Sequence, residues 1–197
     1  MRARIFMTTV ICTIALAATA QKKFDSTMKV GKAGFRVFCA NKNPEKNIAT
    51  ISPVGFDKDA HEVSFEIKGR VTKAEVDDLN GDGFPDLVVY VYNGGDKRTG
   101  TVIGVSSDKN QGFGPIYFPD ITDDMKLRVG YVGYDEFTLM EGNLMRRFPV
   151  YSTADSANIK PTGVIRQVMY RVVPGDKPGI QKFKVTRSYE LGKPNNG

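Results

Sequence analysis

Apolar and polar residues alternate in short runs along this chain, and Gly, Pro, Asn and Asp separate the runs. No long stretch carries a helical period, so from Phe35 onward the pattern predicts strands and turns. In "EVSFEI", Val63, Phe65 and Ile67 alternate with polar neighbours, as in a half-buried strand. After Gly69 and Val71 the apolar set returns at Ala74 and Val76, one step out of phase, which predicts a bulge or bend near Gly69. "DLVVYVY" is apolar at nearly every position after Asp86 and predicts a central strand covered on both faces. "TGTVIGVSS" follows as its antiparallel neighbour, after the loop "YNGGDKRTG".

Two hairpins are expected further on. In "DEFTLMEGNLMRRFPVY", Phe137 and Leu139 precede a turn at Glu141-Gly142-Asn143, and Leu144, Arg146, Phe148 and Val150 then alternate. "GVIRQVMYRVV" and "FKVTRSYEL" flank the turn "PGDKPG", with Phe183, Val185, Tyr189 and Leu191 expected in phase. The expected fold is all-β and mainly antiparallel, a β-sandwich or open barrel with few short helices. A length of 197 residues fits one domain, and no biased linker divides residues 21–197. No segment recurs at a fixed period, and the acidic loop that precedes "DLVVYVY" occurs once, whereas a β-propeller repeats such units over a much longer chain.

Residues 1–20, "MRARIFMTTVICTIALAATA", combine a basic head, a short apolar stretch and an A-x-A end. That order predicts a signal peptide cut before Gln21, and an apolar stretch too short for a spanning helix. The mature protein is expected in the periplasm or the medium, with no membrane attachment after cleavage. The leader holds Arg2 and Arg4 and no acid, so its removal lowers the net charge from +6 to +4. The basic residues are scattered, which argues against nucleic acid as a partner. Of the two cysteines, Cys12 lies in the leader, and Cys39 in the apolar run "FRVFCAN" is expected to be buried, so no disulfide framework is expected.

"VDDLNGDGFPDLVVYVY" carries the most specific chemistry. Counting from Asp78, oxygens fall at Asp78, Asn80, Asp82, the Phe84 carbonyl and Asp86, with Gly83 at the tight turn. This spacing curls alternate groups toward one centre and suits Ca2+, a hard cation that takes six to eight oxygens. Val89 stands where an EF-hand has its bidentate glutamate, and the flanks are strands, so the loop is nearer to the acidic loops of integrin-type β-propeller repeats. Carboxylates and the missing lysine exclude a phosphate loop. Asp, Asn and Gly are also turn formers, so a hairpin closed without an ion remains the alternative.

Little points to catalysis. His61 is the single histidine and sits in the polar segment "DKDAHEVSF", with no nucleophile motif near it. One histidine and one mature cysteine disfavour zinc. The acid pairs Asp123-Asp124 and Asp135-Glu136 are expected to be solvated, not a glycosidase pair. The protein is therefore expected not to be an enzyme.

The order of "GRVTKAEVDDLNGDGFPDLVVYVY", "GTVIGVSS", "FPDITDD", "GYDEFTLMEGNLMRRFPVY" and "KPTGVIRQVMYRVV" resembles the PliI-like family, the periplasmic inhibitors of invertebrate-type lysozyme, over roughly residues 69 to 173. The resemblance implies an antiparallel β fold, a homodimer, and a loop that enters the lysozyme cleft. The family's loop carries a Ser-Gly-x-x-Tyr motif; the corresponding residues here are Asp96, Lys97, Arg98 and Thr99, none of which keeps it. Asp96 would bring like charge toward the cleft acids, and Lys97 and Arg98 would pair with them. Two functions are thus expected: a divergent lysozyme-inhibitor-like binder of lysozyme or another protein, or a calcium-stabilised module for wall polysaccharide or a protein partner. In the second, Tyr92, Tyr117 and Tyr134 are candidates for stacking on sugars.

Overall fold

The computed structural model describes residues 22–152, 159–177 and 179–192; the expected leader lies outside the described residues. The chain is nearly all strand, with one short 3-10 turn at Ile121–Asp123 among the described residues. Among the described residues, no helix is long and apolar enough to cross a membrane. Four strands, β1 (Phe24–Val30), β2 (Ala33–Cys39), β3 (Asn47–Val54) and β4 (Val63–Ile67), form an antiparallel meander. Eight more form a second sheet: β5 (Arg70–Asp77), β6 (Asp86–Tyr92), β7 (Gly100–Asp108), β8 (Gly112–Tyr117), β9 (Glu136–Met140), β10 (Asn143–Tyr151), β11 (Pro161–Pro174) and β12 (Gln181–Leu191). Their order is β5-β6-β7-β8-β12-β11-β10-β9, antiparallel except where β8 meets β12 over two residue pairs.

The second sheet curls until its two ends approach. Phe137 on β9 packs 6.0 Å from the Tyr90 ring and 6.1 Å from the Tyr92 ring of β6, and the Gly142 N–H donates to the Asp77 carboxylate at the end of β5. The result is a nearly closed barrel, filled by Val88, Tyr90, Leu144, Phe148, Val168, Tyr170 and Phe183. The four-stranded sheet packs on the outside, where Phe35, Val37, Cys39 and Ile51 meet Leu87, Val89 and Val91. β6 thus serves both cores and is buried at all seven positions, as the unbroken apolar run predicts. Cys39 is a buried free thiol packed as a small hydrophobe.

The slip in the apolar pattern has two causes. At Gly69 the chain passes from one sheet to the other with φ +130, and a Cβ there would lie 2.3 Å from the Tyr92 carbonyl oxygen. The bulge itself falls two residues on, between Val71 and Lys73 in the pairing with β6. The buried Asn41 clamps that point, its amide donating to the Val71 carbonyl and its Oδ1 accepting the Val71 N–H. A second bulge lies between Arg187 and Val185, opposite Met169 and Tyr170. It shifts the alternation on β12, so Tyr189 and Leu191 point out at 38% and 45% exposure, contrary to the expected phase. Val63 is also exposed, because β4 is the last strand of its sheet; Ile67 is buried and Phe65 packs partly against the core, but the strand's start does not reach it.

The turn Glu141-Gly142 is tight, with φ +50 and +69, and Met140 pairs Asn143 across it. This is the backbone that a two-residue hairpin requires.

Because Leu87 is fully buried between the barrel and the outer sheet, Leu87→Ala should lower the unfolding free energy by about 2–5 kcal/mol in urea titration. A loss below about 1 kcal/mol would show that the two layers are not tightly packed there.

Candidate functional site

The two segments singled out from the sequence lie at opposite ends of β6, which follows the acidic loop at Asp86 and ends at Tyr92 before the second loop. Six residue steps of strand separate them by roughly 20 Å. They are therefore two sites and not one.

The acidic loop is closed by its own backbone. Asp78 Oδ1 accepts the Gly81 and Asp82 N–H groups at 2.8 and 3.1 Å, and Oδ2 accepts Gly83 N–H at 2.9 Å. Asn80 Oδ1 accepts the Asp82 N–H, and Asp82 Oδ1 accepts the Phe84 N–H. Gly81 and Gly83, at φ +79 and +84, supply the left-handed conformations that the curl needs. Asp86 is fully buried; its oxygens accept the N–H groups of Leu79 and Ser107, joining the loop to β7. Burial pushes its carboxyl up to about 6, with the Asp82 charge adding to the effect and bonds from Ser106, Leu79 and Ser107 opposing it. Among the described residues, no three His, Cys, Asp or Glu side chains are grouped so as to hold a metal ion. Any ion here would draw on the remaining lone pairs of Asp78, Asn80, Asp82 and Asp86 and on the Phe84 carbonyl, since each carboxylate oxygen can accept more than one partner.

The second loop, 93–99, is exposed at every residue, including Asp96, Lys97, Arg98 and Thr99. Its ends are nevertheless pinned. The Asn93 N–H donates to the Thr99 carbonyl and its Oδ1 accepts the Thr99 N–H. The Arg98 N–H closes on the Gly95 carbonyl, and the Tyr134 N–H donates to the Lys97 carbonyl. Gly94 lies so close to Pro44 that a Cβ would stand 2.3 Å from the proline side chain. The Arg98 guanidinium sits 4.5 Å over the Tyr92 ring, a cation–π contact that turns it back onto the barrel and leaves Lys97 as the projecting cation.

A buried polar network fixes the exit of this loop. The Gly100 N–H donates to Asp135 Oδ2 at 2.7 Å, and the same oxygen accepts the Tyr131 hydroxyl at 2.7 Å. Arg146 Nε donates to Asp135 Oδ1 at 2.7 Å, and its NH2 group donates to the Tyr131 hydroxyl at 2.9 Å. Both members of the ion pair are almost wholly buried. Burial disfavours the Arg146 charge, but Asp135 outweighs it and holds the guanidinium above its ordinary range, while burial pushes the Tyr131 hydroxyl up.

Asp135 was expected to be solvated beside Glu136. Only Glu136 is exposed; the strand geometry of β9 directs Phe137 inward, and the irregular segment before it, left-handed at Gly133 and Tyr134, places Asp135 on Arg146. The alternation Leu144, Arg146, Phe148 already set Arg146 on the inward face, and an arginine there requires a buried acid. His61 is exposed ahead of β4. Of the three candidate tyrosines, Tyr92 is buried, whereas Tyr117 and Tyr134 are 57% and 40% exposed. Tyr134 already stacks on Tyr151 at 6.1 Å.

Comparison with known families finds an FG-GAP repeat over residues 72–105, which spans most of β5, the acidic loop, β6, the second loop and most of β7. This repeat is associated with β-propellers, but here its strands belong to a single curled sheet. Neither the curated proteins nor the solved structures contain a match to the chain.

Asp135→Asn should remove the charge that balances Arg146 and reduce stability by about 3–5 kcal/mol, read from chemical denaturation. An unchanged midpoint would mean that the ion pair does not anchor the barrel.

Proposed function

We propose that this chain is an exported, non-enzymatic binding protein that presents loop 93–99 to a protein partner, in the manner of the lysozyme inhibitors that its sequence resembles. The observation that supports this reading is a loop exposed throughout yet held at both ends: by Asn93 and Thr99, by Pro44, and by Asp135 through Gly100. Such a projection loses little conformational entropy on binding. Lys97 gives it a free cation suited to a cleft lined with carboxylates. Asp135, spent on Arg146, Tyr131 and Gly100, is not free for acid–base work. The expected setting is the periplasm or the medium, as a monomer or homodimer, without nucleic acid or membrane contact.

A turbidity assay of bacterial walls with c-, g- and i-type lysozymes tests this reading. The protein should slow at least one enzyme, and Lys97→Glu should weaken the inhibition at least tenfold, about 1.4 kcal/mol, without changing the melting temperature. Undiminished lysis by all three at high protein excess removes the proposal.

The second reading is a calcium-stabilised binding module, supported by the buried Asp86 beside Asp82 and by the FG-GAP match across this loop. Asp78, Asn80, Asp82, Asp86 and the Phe84 carbonyl would hold the ion, which would neutralise their charge. Because the folded-state value of Asp86 lies above the ordinary 3.8, its contribution to stability is highest below that value, falls as pH rises to about 6, and is lowest above it. Calcium should offset that loss, so its effect on the melting temperature should be larger above this window than within it. Titration calorimetry of chelator-treated protein checks the point; no heat and no thermal shift on either side of the window would exclude calcium.

A further inference from the structure

A cavity of about 750 Å3 opens at the end of the barrel next to the acidic loop. Its β8 wall is unusual. In the pairing of β7 with β8, Gly104 faces the buried Ile116, Ser106 faces Gly114 and Asp108 faces Gly112. Alternation therefore places Gly112 and Gly114 on the same inward face as Ile116. Glycine inside a strand weakens it and is normally explained by close approach of another group. That explanation holds for Gly104, where a Cβ would stand 2.7 Å from Phe183 and 2.9 Å from Ile116, and for Gly100 against Phe137. It fails for Gly112 and Gly114, where a Cβ would meet nothing within 4 Å and the backbone is not left-handed. Two strand positions of the barrel wall thus leave space that no part of the described protein fills.

Polar groups converge on that space. Asn80 Nδ2 donates to Ser106 Oγ at 3.3 Å and to Gln181 Oε1 at 3.4 Å, and Gln181 Nε2 donates to Ser106 Oγ at 3.1 Å. The two contacts from Asn80 are long, while the same amide also donates to Asp82 Oδ2 at 3.0 Å, and the amides of Asn80 and Gln181 can exchange the long contacts for a ligand. Asp82 and Asp108 stand at the rim, and Val172 and Ile180 supply apolar wall. The short parallel contact of β8 with β12, only Gln181↔Ile116 and Lys182↔Tyr117, leaves the mouth open on that side.

We propose that this barrel mouth binds a neutral saccharide. Planar amides and carboxylates bond adjacent hydroxyls in pairs, and the apolar flank suits the C–H face of a sugar ring. The rim carboxylates, with Asp86 behind Ser106, oppose anionic ligands. The volume lies within the ordinary range of ligand pockets, and barrel mouths are a recurrent location for them. The site is distinct from loop 93–99 and does not depend on it.

The test is titration of the full mature chain with cellotetraose, maltotetraose, N-acetylchitotetraose and, as the anionic probe, tetragalacturonate, followed by calorimetry and amide chemical shifts. At least one neutral oligosaccharide should bind saturably, with shifts centred on Ser106, Gly112, Gly114 and Gln181, and tetragalacturonate should bind at least tenfold more weakly. Gly114→Val puts a side chain into the open space at a strand-compatible position; it should keep or raise the melting temperature and weaken binding at least tenfold. Gln181→Ala, which adds no bulk, provides a second variant with the same expected loss. No saturable binding of any neutral probe at millimolar concentration overturns the proposal. So do equal binding of the anionic probe, shifts confined to loop 93–99, or full binding by both variants.

Discussion

Strand β6 is buried at every position, and that constraint organises the molecule. A strand covered on both faces needs two apolar layers, and this one has the barrel interior against Val88, Tyr90 and Tyr92 and the outer sheet against Leu87, Val89 and Val91. With its side chains taken up by packing, β6 leaves chemistry to the loops at its two ends. The acidic loop and loop 93–99 are consequently displayed at opposite ends of this strand. A change at one end reaches the other only through a core that tolerates little deformation.

Charge inside the barrel is the second organising fact. Arg146 sits on the inward face of β10 between Leu144 and Phe148, and Asp135 compensates it while tying the start of β7 at Gly100. A buried ion pair of this kind is weak as a source of net stability but severe when broken, so it acts as a geometric pin. Arg166 is treated similarly: its NH1 group donates to the carbonyls of Lys126, Leu127 and Val129, holding the segment after the 3-10 turn against the barrel. The polar interior is thus used to tie down long connections that have little regular structure of their own.

The barrel is unequal at its two ends. Around loop 93–99, glycines are filled in by neighbours: Gly100 by Phe137, Gly94 by Pro44, Gly133 by the Lys97 carbonyl. At the acidic end, Gly112 and Gly114 face open space beside the amides of Asn80 and Gln181 and the Ser106 hydroxyl. One end is built as a firm projection and the other as a concavity. The proposed partners, a protein cleft for the first and a small polar ligand for the second, rest on that difference in shape.

Fold class followed from the sequence alone, because alternation, the unbroken run of β6 and the turn residues are local signals. The same holds for the Glu141-Gly142 turn, the burial of Cys39 and the curl of the acidic loop, which Asp78 and two glycines build within a few residues. The bulge in β12 was hidden, since a single extra residue flips every later side chain and no local cue marks Thr186. The fate of Asp135 was hidden as well: its neighbour Glu136 is exposed, and only the meeting of β7, β9 and β10 brings Arg146 and Gly100 to it. The empty faces of Gly112 and Gly114 and the separation of the two loops are tertiary in the same sense. Sequence specifies what each strand can bury, but which groups end up facing a partner, a charge or open space is decided when distant strands close on one another.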